Sequence, residues 1–257
     1  MDLVLIILVS FGASWLTFFC GFGLGTLLTP VFYLLFQDLT LAIASTAIVH
    51  FANNIFKFAL MQKSVDWKIA LPFGIAALPF AAIGAFLLLY IDDFTVWTYQ
   101  ISDHIFNVNL LNLIFGSILI ILALVEIIPA WSIRFSKQKL WIGGAISGFF
   151  GGLSGHQGAL RSAFLIKYQL KPEVFVATGI VVALAIDIVR STIYFTSDDI
   201  QNVTLPWNWI VLSLIAAFAG AITGKFLLKK IKLKSLNLIV SIAMISFGLV
   251  LIFGILT

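Results

Sequence analysis

Two clusters of glycine carry the residues of this chain whose types and spacing could do chemistry. The first reads Gly21-Phe22-Gly23-Leu24-Gly25 and is followed by Thr26, Thr29 and Pro30. The second reads Gly151-Gly152-Leu153-Ser154-Gly155-His156-Gln157-Gly158 and is followed by Arg161 and Ser162. Glycine lets a backbone turn tightly and approach a ligand closely. A helix restarting after such a break, near Gly25 or near Gly158, presents free N–H groups and the positive end of its dipole, which suits an anion without a buried lysine. Thr26, Thr29, Ser154, His156, Gln157 and Ser162 could add hydroxyl, imidazole and amide donors, with Asn53-Asn54 and Asp187 in the segments that follow. The competing reading is structural: glycine permits close helix packing, and serine or threonine bonds the backbone of its own helix.

The charged residues divide in the same way. Arg161, three positions beyond Gly158, either attracts an anion from the first turn of the new helix or snorkels to the cytoplasmic surface. Asp187 and Arg190 stand at i and i+3 and read first as an intrahelical ion pair, with a proton-coupling carboxylate as the alternative. Lys57 reads as a residue near a loop that snorkels outward, with coupling as its second reading. His50 reads as a hydrogen-bonded packing residue ahead of a proton relay, and Glu126, before Pro129, as interfacial. Cys20, His50, His156 and Glu126 show no known catalytic spacing, which disfavours an intramembrane enzyme. Nothing calls for a metal or cofactor, and the single cysteine excludes an internal disulfide.

These residues sit in an unusually apolar chain. Of 257 residues, 61% are hydrophobic and 10% charged, against roughly 45–50% and about 25% in soluble domains. Fifteen basic and 11 acidic residues cannot solvate a globule of this length. The composition predicts an all-α polytopic membrane protein and excludes a secreted, disordered or nucleic-acid-binding one. The net charge of +4 follows from the cytoplasmic bias of Lys and Arg. Met1-Asp2 precedes apolar residues with no basic n-region, so the first segment is expected to stay in the fold. No Walker motif is present to use ATP.

Eight apolar segments are predicted: Leu3–Phe36, Leu39–Leu60, Ile69–Ile91, Asn109–Ala130, Leu140–Tyr168, Val174–Phe195, Trp207–Leu228 and Leu236–Leu256. The first and fifth are too long for one span and hold the glycine clusters. From Leu140 to Gly151 a helix rises roughly 16 Å, about half the hydrocarbon thickness. Lys57, Lys63 and Lys68, then Arg134, Lys137 and Lys139, then Lys225, Lys229, Lys230, Lys232 and Lys234 mark three connections as cytoplasmic. Asp92, Asp93, Asp103, Asp198 and Asp199 mark two as external. These signs agree only if Leu140–Tyr168 enters and leaves on one side as a re-entrant hairpin. The alternative is eight plain spans that obey the charge rule poorly.

The clusters also open a repeat. Gly25 and Gly158 are 133 positions apart, and the same offset pairs Thr29 with Ser162, Ser45 with Thr178, Asn54 with Asp187 and Lys57 with Arg190. After a 7-residue insertion, an offset of 140 pairs Trp67 with Trp207 and Gly84 with Gly224. Two halves result, 1–130 and 131–257, each a glycine-broken re-entrant hairpin plus three transmembrane helices. An odd number of crossings per half makes them inverted-topology repeats. Both termini are then expected on the external side of the cytoplasmic (inner) membrane. The oligomeric state stays open, a homodimer being one option.

Gly21-Phe22-Gly23-Leu24-Gly25, Pro30, Ala44-Ser45-Thr46, Lys63-Ser64-Val65-Asp66-Trp67-Lys68 and Gly84, with Gly148, Gly151-Gly152-Leu153-Ser154-Gly155 and Gly158, resemble the TauE/SafE family of sulfite-exporter-like permeases. The resemblance covers nearly the whole chain. It implies a secondary transporter for a small sulfur-containing or organic anion, such as sulfite or a sulfonate, often working in export. An anion channel is the alternative. The chain departs from the family at His156-Gln157-Gly158 and Ala163, where the family has more glycine and then a proline. A bulkier, more polar second tip points to a different anion, such as a sulfo-carboxylate.

Overall fold

The computed structural model describes residues 2–18, 24–91, 94–127, 140–197, 204–227 and 234–255. Gly21–Gly23, Cys20, the Glu126 side chain and most of the charges used for topology lie outside the described residues. Ten helices are described: α1 (Asp2–Leu16), α2 (Leu24–Phe36), α3 (Leu39–Met61), α4 (Trp67–Tyr90), α5 (Leu110–Ile127), α6 (Leu140–Ser154), α7 (Gly158–Leu165), α8 (Pro172–Thr196), α9 (Trp207–Leu227) and α10 (Lys234–Ile252). Local chemistry sets several starts. Asp38 caps α3 by accepting from the Leu41 N–H at 2.9 Å, and Asp66 caps α4 by accepting from the Lys68 N–H at 3.0 Å. Pro172 opens α8, where its missing N–H costs nothing.

The protein is predominantly helical and multi-pass in character. Helices α3, α4, α8 and α9 are long and apolar enough to cross a bilayer, and shorter apolar helices accompany them. Both glycine-rich segments are broken as predicted. The helices before each break, α1 and α6, have 15 residues apiece. At about 1.5 Å per residue that is about 22 Å, short of a hydrocarbon core of about 30 Å.

Helix contacts come in matched pairs. Helix α4 lies along α6 and α9 along α1; α4 touches α8 and α9 touches α3; α3 crosses α8, and α5 lies along α10. Exchanging α1–α5 for α6–α10 leaves this pattern unchanged. The glycines explain how closely the helices approach. A Cβ added at Gly144, Gly148 or Gly152 of α6 would lie 2.4, 2.3 or 2.0 Å from the carbonyl oxygens of Phe73, Ala77 and Ala81 of α4. A Cβ at Gly220 of α9 would lie 2.2 Å from the Phe11 oxygen of α1. Gly116 of α5 and Gly248 of α10 face each other's carbonyls at 2.5 and 2.8 Å by the same construction. Between apolar helices in lipid, such backbone proximity is a main source of attraction. The packing reading therefore holds for Gly148 and Gly152.

One expectation is corrected. The connection after α4 is not a plain loop, so the fold is not wholly α. Strand β1 (Thr95–Ile101) pairs antiparallel with β2 (His104–Asn109). Thr95-Val96-Trp97-Thr98-Tyr99-Gln100-Ile101 is rich in β-branched and aromatic residues, the types that suit a pleated surface. Ser102, at φ 53°, makes the left-handed turn. Tyr99 stacks on Phe106 and donates to the Phe253 carbonyl at 2.5 Å, tying the hairpin to the end of α10.

The packing makes a paired prediction. Gly152→Leu should prevent α4 and α6 from docking and abolish a monodisperse folded species in detergent. Gly12→Ala meets no atom within 4 Å and should keep or raise the melting temperature, since alanine favours a helix by about 1 kcal/mol over glycine. Size-exclusion profiles and thermal melts of both variants check this.

Candidate functional site

Helices α3 and α8 cross and bring Asn54 and Asp187, 133 positions apart, into direct contact. Asn54 Nδ2 donates to Asp187 Oδ2 at 2.9 Å. The Asp187 carboxylate, with 0% exposure, is held from every side: Arg190 Nε donates to Oδ1 at 3.0 Å and Gln157 Nε2 to the same oxygen at 3.4 Å. His50 Nδ1 lies 2.7 Å from Oδ2. The expected i,i+3 ion pair is present, but it is one part of a buried network joining α3, α8 and the link between α6 and α7. His50 is hydrogen-bonded within this network, as the packing reading expects.

Each broken helix ends beside this network. At the end of α1, Lys57 Nζ donates to the Ser14 carbonyl at 3.1 Å and to Thr17 Oγ1, and lies 5.0 Å from the Phe18 ring centroid. Thr17 Oγ1 in turn donates to the Ser14 carbonyl at 2.6 Å, and Ser14 Oγ to Asn53 Oδ1 at 3.1 Å. Lys57 is 3% exposed, which corrects the expectation that it snorkels outward. The physical reason is the break itself, because the last carbonyls of a helix lack intrahelical donors and attract a cation.

The end of α6 is closed by different groups. Gly155 adopts φ +77° and its N–H returns to the Gly151 carbonyl at 3.0 Å, a left-handed helix stop. Tyr194 donates its hydroxyl to the Gly152 carbonyl, with the Leu153 carbonyl 3.4 Å away. Arg190 packs against Gly155 so tightly that a Cβ there would lie 2.4 Å from Nη1. The start of α2 rests on this turn: a Cβ at Gly25 would be 3.5 Å from the Gly155 oxygen and 3.8 Å from His50 Cδ2.

A cavity of about 30 Å3 opens between the first break and helices α3, α7 and α8, lined by Thr17, His50, Asn54, Lys57, Arg161 and Ser162 with Leu24, Leu165, Phe175, Val176, Gly179, Ile180 and Ala183. That volume holds roughly two water molecules. Arg161 points into it instead of away from the core. Gly179 leaves a slot for its guanidinium, since a Cβ there would be 3.1 Å from Nε. Among the described residues, Arg161 Nη1, Arg190 Nη2 and Gln157 Oε1 are buried without hydrogen-bond partners.

The residues singled out from sequence separate into groups. Gly25, Asn53, Asn54, Lys57, Gln157, Arg161, Ser162, Asp187 and Arg190 converge on the network or the cavity. Gly158 opens α7 and is buried beside them. Thr29 and Ser154 instead donate to carbonyls of their own helices, Gly25 at 2.8 Å and Phe150 at 3.0 Å. Thr26 and His156 are buried off the cavity, and Gly23 lies outside the described residues. Ser14, Thr17 and Tyr194 were not foreseen. The 133-residue offset relates Ser14 to Ser147, whose hydroxyl donates to the Gln157 carbonyl at 3.2 Å, so Ser14 was open to detection; Thr17 and Tyr194 carry no such signal.

No curated protein and no solved structure was found to match this chain. A family model described as Sulfite exporter TauE/SafE matches residues 6–251. That span takes in both glycine clusters, the crossing helices and every residue of the buried network, and the chain belongs to this family of membrane transporters.

Proposed function

We propose that the protein is a secondary transporter that carries a small sulfur-containing or organic anion (sulfite, a sulfonate or a sulfo-carboxylate) across the cytoplasmic membrane, with export as its working direction. The observation that carries this reading is the charge of the buried site. Lys57, Arg161 and Arg190 converge there against one carboxylate, Asp187. Cations inside a membrane protein are costly without counter-charge, and a bound anion supplies it. The three pyramidal oxygens of sulfite or a sulfonate suit donors from several directions, and Lys57, Arg161 and Ser162 all line the cavity. The family's description supports sulfite chemistry and export.

The mechanism follows from two repeats of opposite orientation, 1–130 and 131–257, each with a re-entrant broken helix. The matched helix contacts and the contact between Asn54 and Asp187 support that symmetry. In this reading the halves exchange roles, so that the cavity opens first to one side and then to the other. Room for about two waters means that the cavity must widen to admit a sulfonate, which favours a gated carrier over an open channel. The termini lie outside in this arrangement, and the Lys-rich connections inside.

The deciding experiment is counterflow in proteoliposomes with labelled sulfite, methanesulfonate and sulfoacetate. A carrier accumulates label transiently when unlabelled anion is trapped inside; a channel does not. Arg161→Ala should weaken anion binding about 10- to 100-fold, the loss expected for one charge-assisted hydrogen bond of about 1.5–3 kcal/mol. Equilibrium binding to purified protein checks this, and unchanged affinity would remove Arg161 from the site. Gly155→Ala, which strains a left-handed residue and displaces Arg190, should lower both flux and melting temperature; wild-type values for both would refute the role given to that turn.

A further inference from the structure

We propose that His50 carries a proton through the transport cycle, taking it up on Nε2 from the cavity as the anion binds, so that anion and proton cross the membrane together. The proposal rests on the transport reading and adds the identity of the coupled ion. The 2.7 Å approach of His50 Nδ1 to Asp187 Oδ2 requires a proton between them, because two bare acceptors would repel, and a carboxylate that already accepts from Arg190, Asn54 and Gln157 leaves that proton on Nδ1. Asn54 Nδ2 lies 3.1 Å from the same nitrogen and donates one of its two hydrogens to Asp187 Oδ2 at 2.9 Å. With Nδ1 committed to the carboxylate, a neutral ring leaves Nε2 as a lone-pair acceptor. The ring lines the cavity, and Cδ2, bonded to Nε2, faces the start of α2 at Gly25. Water in the cavity reaches the free nitrogen, while the other holds the ring in place.

The surrounding charges set the direction of coupling. Helix α8 presents Asp187 and Arg190 to His50, α7 presents Arg161, the α6–α7 link presents His156, and α3 itself presents Lys57. The facing parts of α1 and α2 are uncharged, and Lys225 of α9 is engaged with the Leu60 carbonyl at 2.9 Å. Asp187 already accepts from Arg190, Asn54 and Gln157, so the carboxylate is satisfied as an anion and the imidazole is the proton acceptor. A second ring proton in the empty site adds positive charge to an existing excess and is disfavoured. An anion in the cavity reverses that balance. By linkage, protonation favours the anion by the same factor. The result is co-transport in one direction; exchange would need a proton that competes with the anion. The step is a simple transfer from cavity water to Nε2, giving imidazolium, with return to water on the far side.

Proteoliposomes containing a trapped pH dye test this with methanesulfonate, a strong-acid anion that carries no proton of its own. An inward methanesulfonate gradient should acidify the lumen by about one proton per anion transported. His50→Gln keeps a donor toward Asp187 but cannot titrate; its remaining methanesulfonate flux should carry less than about a tenth of a proton per anion. Wild-type methanesulfonate flux with no lumenal pH change, or with alkalinisation, overturns the proposal without any variant. A His50→Gln protein that keeps the wild-type ratio overturns it by locating the proton elsewhere. Absence of methanesulfonate flux in the wild type overturns the sulfonate-transport reading, and this proposal with it.

Discussion

A helix that stops inside an apolar core leaves its last carbonyl groups without intrahelical donors, at several kcal/mol for each group left unpaired. Helices α1 and α6 both stop in this way, and much of the centre of the protein is arranged around their ends. Lys57 reaches from α3 to the Ser14 carbonyl of α1. Tyr194 reaches from α8 to the Gly152 carbonyl of α6, with Arg190 against the turn that follows. Closing two broken helices therefore draws cations into the interior. Asp187 offsets part of that charge. The remainder faces a cavity, where an anion can complete it.

Matching positions on α3 and α8 carry different chemistry. Positions related by the 133-residue offset hold Asn54 and Asp187, or Lys57 and Arg190. Had both crossing positions been aspartate, two carboxylates would meet on the axis and repel. With one amide, Asn54 becomes a donor to Asp187 and the crossing is stabilised. The first break stays adjacent to the cavity through Thr17 and Lys57, whereas the second is filled by Arg190, Gln157 and Tyr194. Close glycine contacts along α4–α6 and α1–α9 hold these helices as rigid pairs.

Much of this was legible in the sequence because the constraints were local or periodic. Glycine runs within apolar segments located both helix breaks, and one register placed Asn54 with Asp187 and Lys57 with Arg190. The direction of Lys57 was not legible. A lysine near the end of an apolar span reads as snorkelling, and only the position of the α1 terminus shows a carbonyl waiting for it. The partner of His50 lies 137 positions away and depends on how α3 crosses α8, which no local pattern encodes. The β1–β2 hairpin was missed for a simpler reason: the Asp-bearing stretch was read for charge alone, while its alternating β-branched and aromatic residues carried the strand signal.

The central claim is that the first helix break, with helices α3, α7 and α8, encloses a water-accessible chamber that binds anions. Cysteine placed at Ser162, in a protein whose native Cys20 is replaced by serine, tests it through modification by a thiol reagent bearing a sulfonate group. The account predicts rapid modification of Ser162→Cys that saturating methanesulfonate slows, alongside an inert Ser213→Cys buried within α9. A Ser162→Cys side chain that does not react, or that reacts at the same rate with and without methanesulfonate, would contradict it.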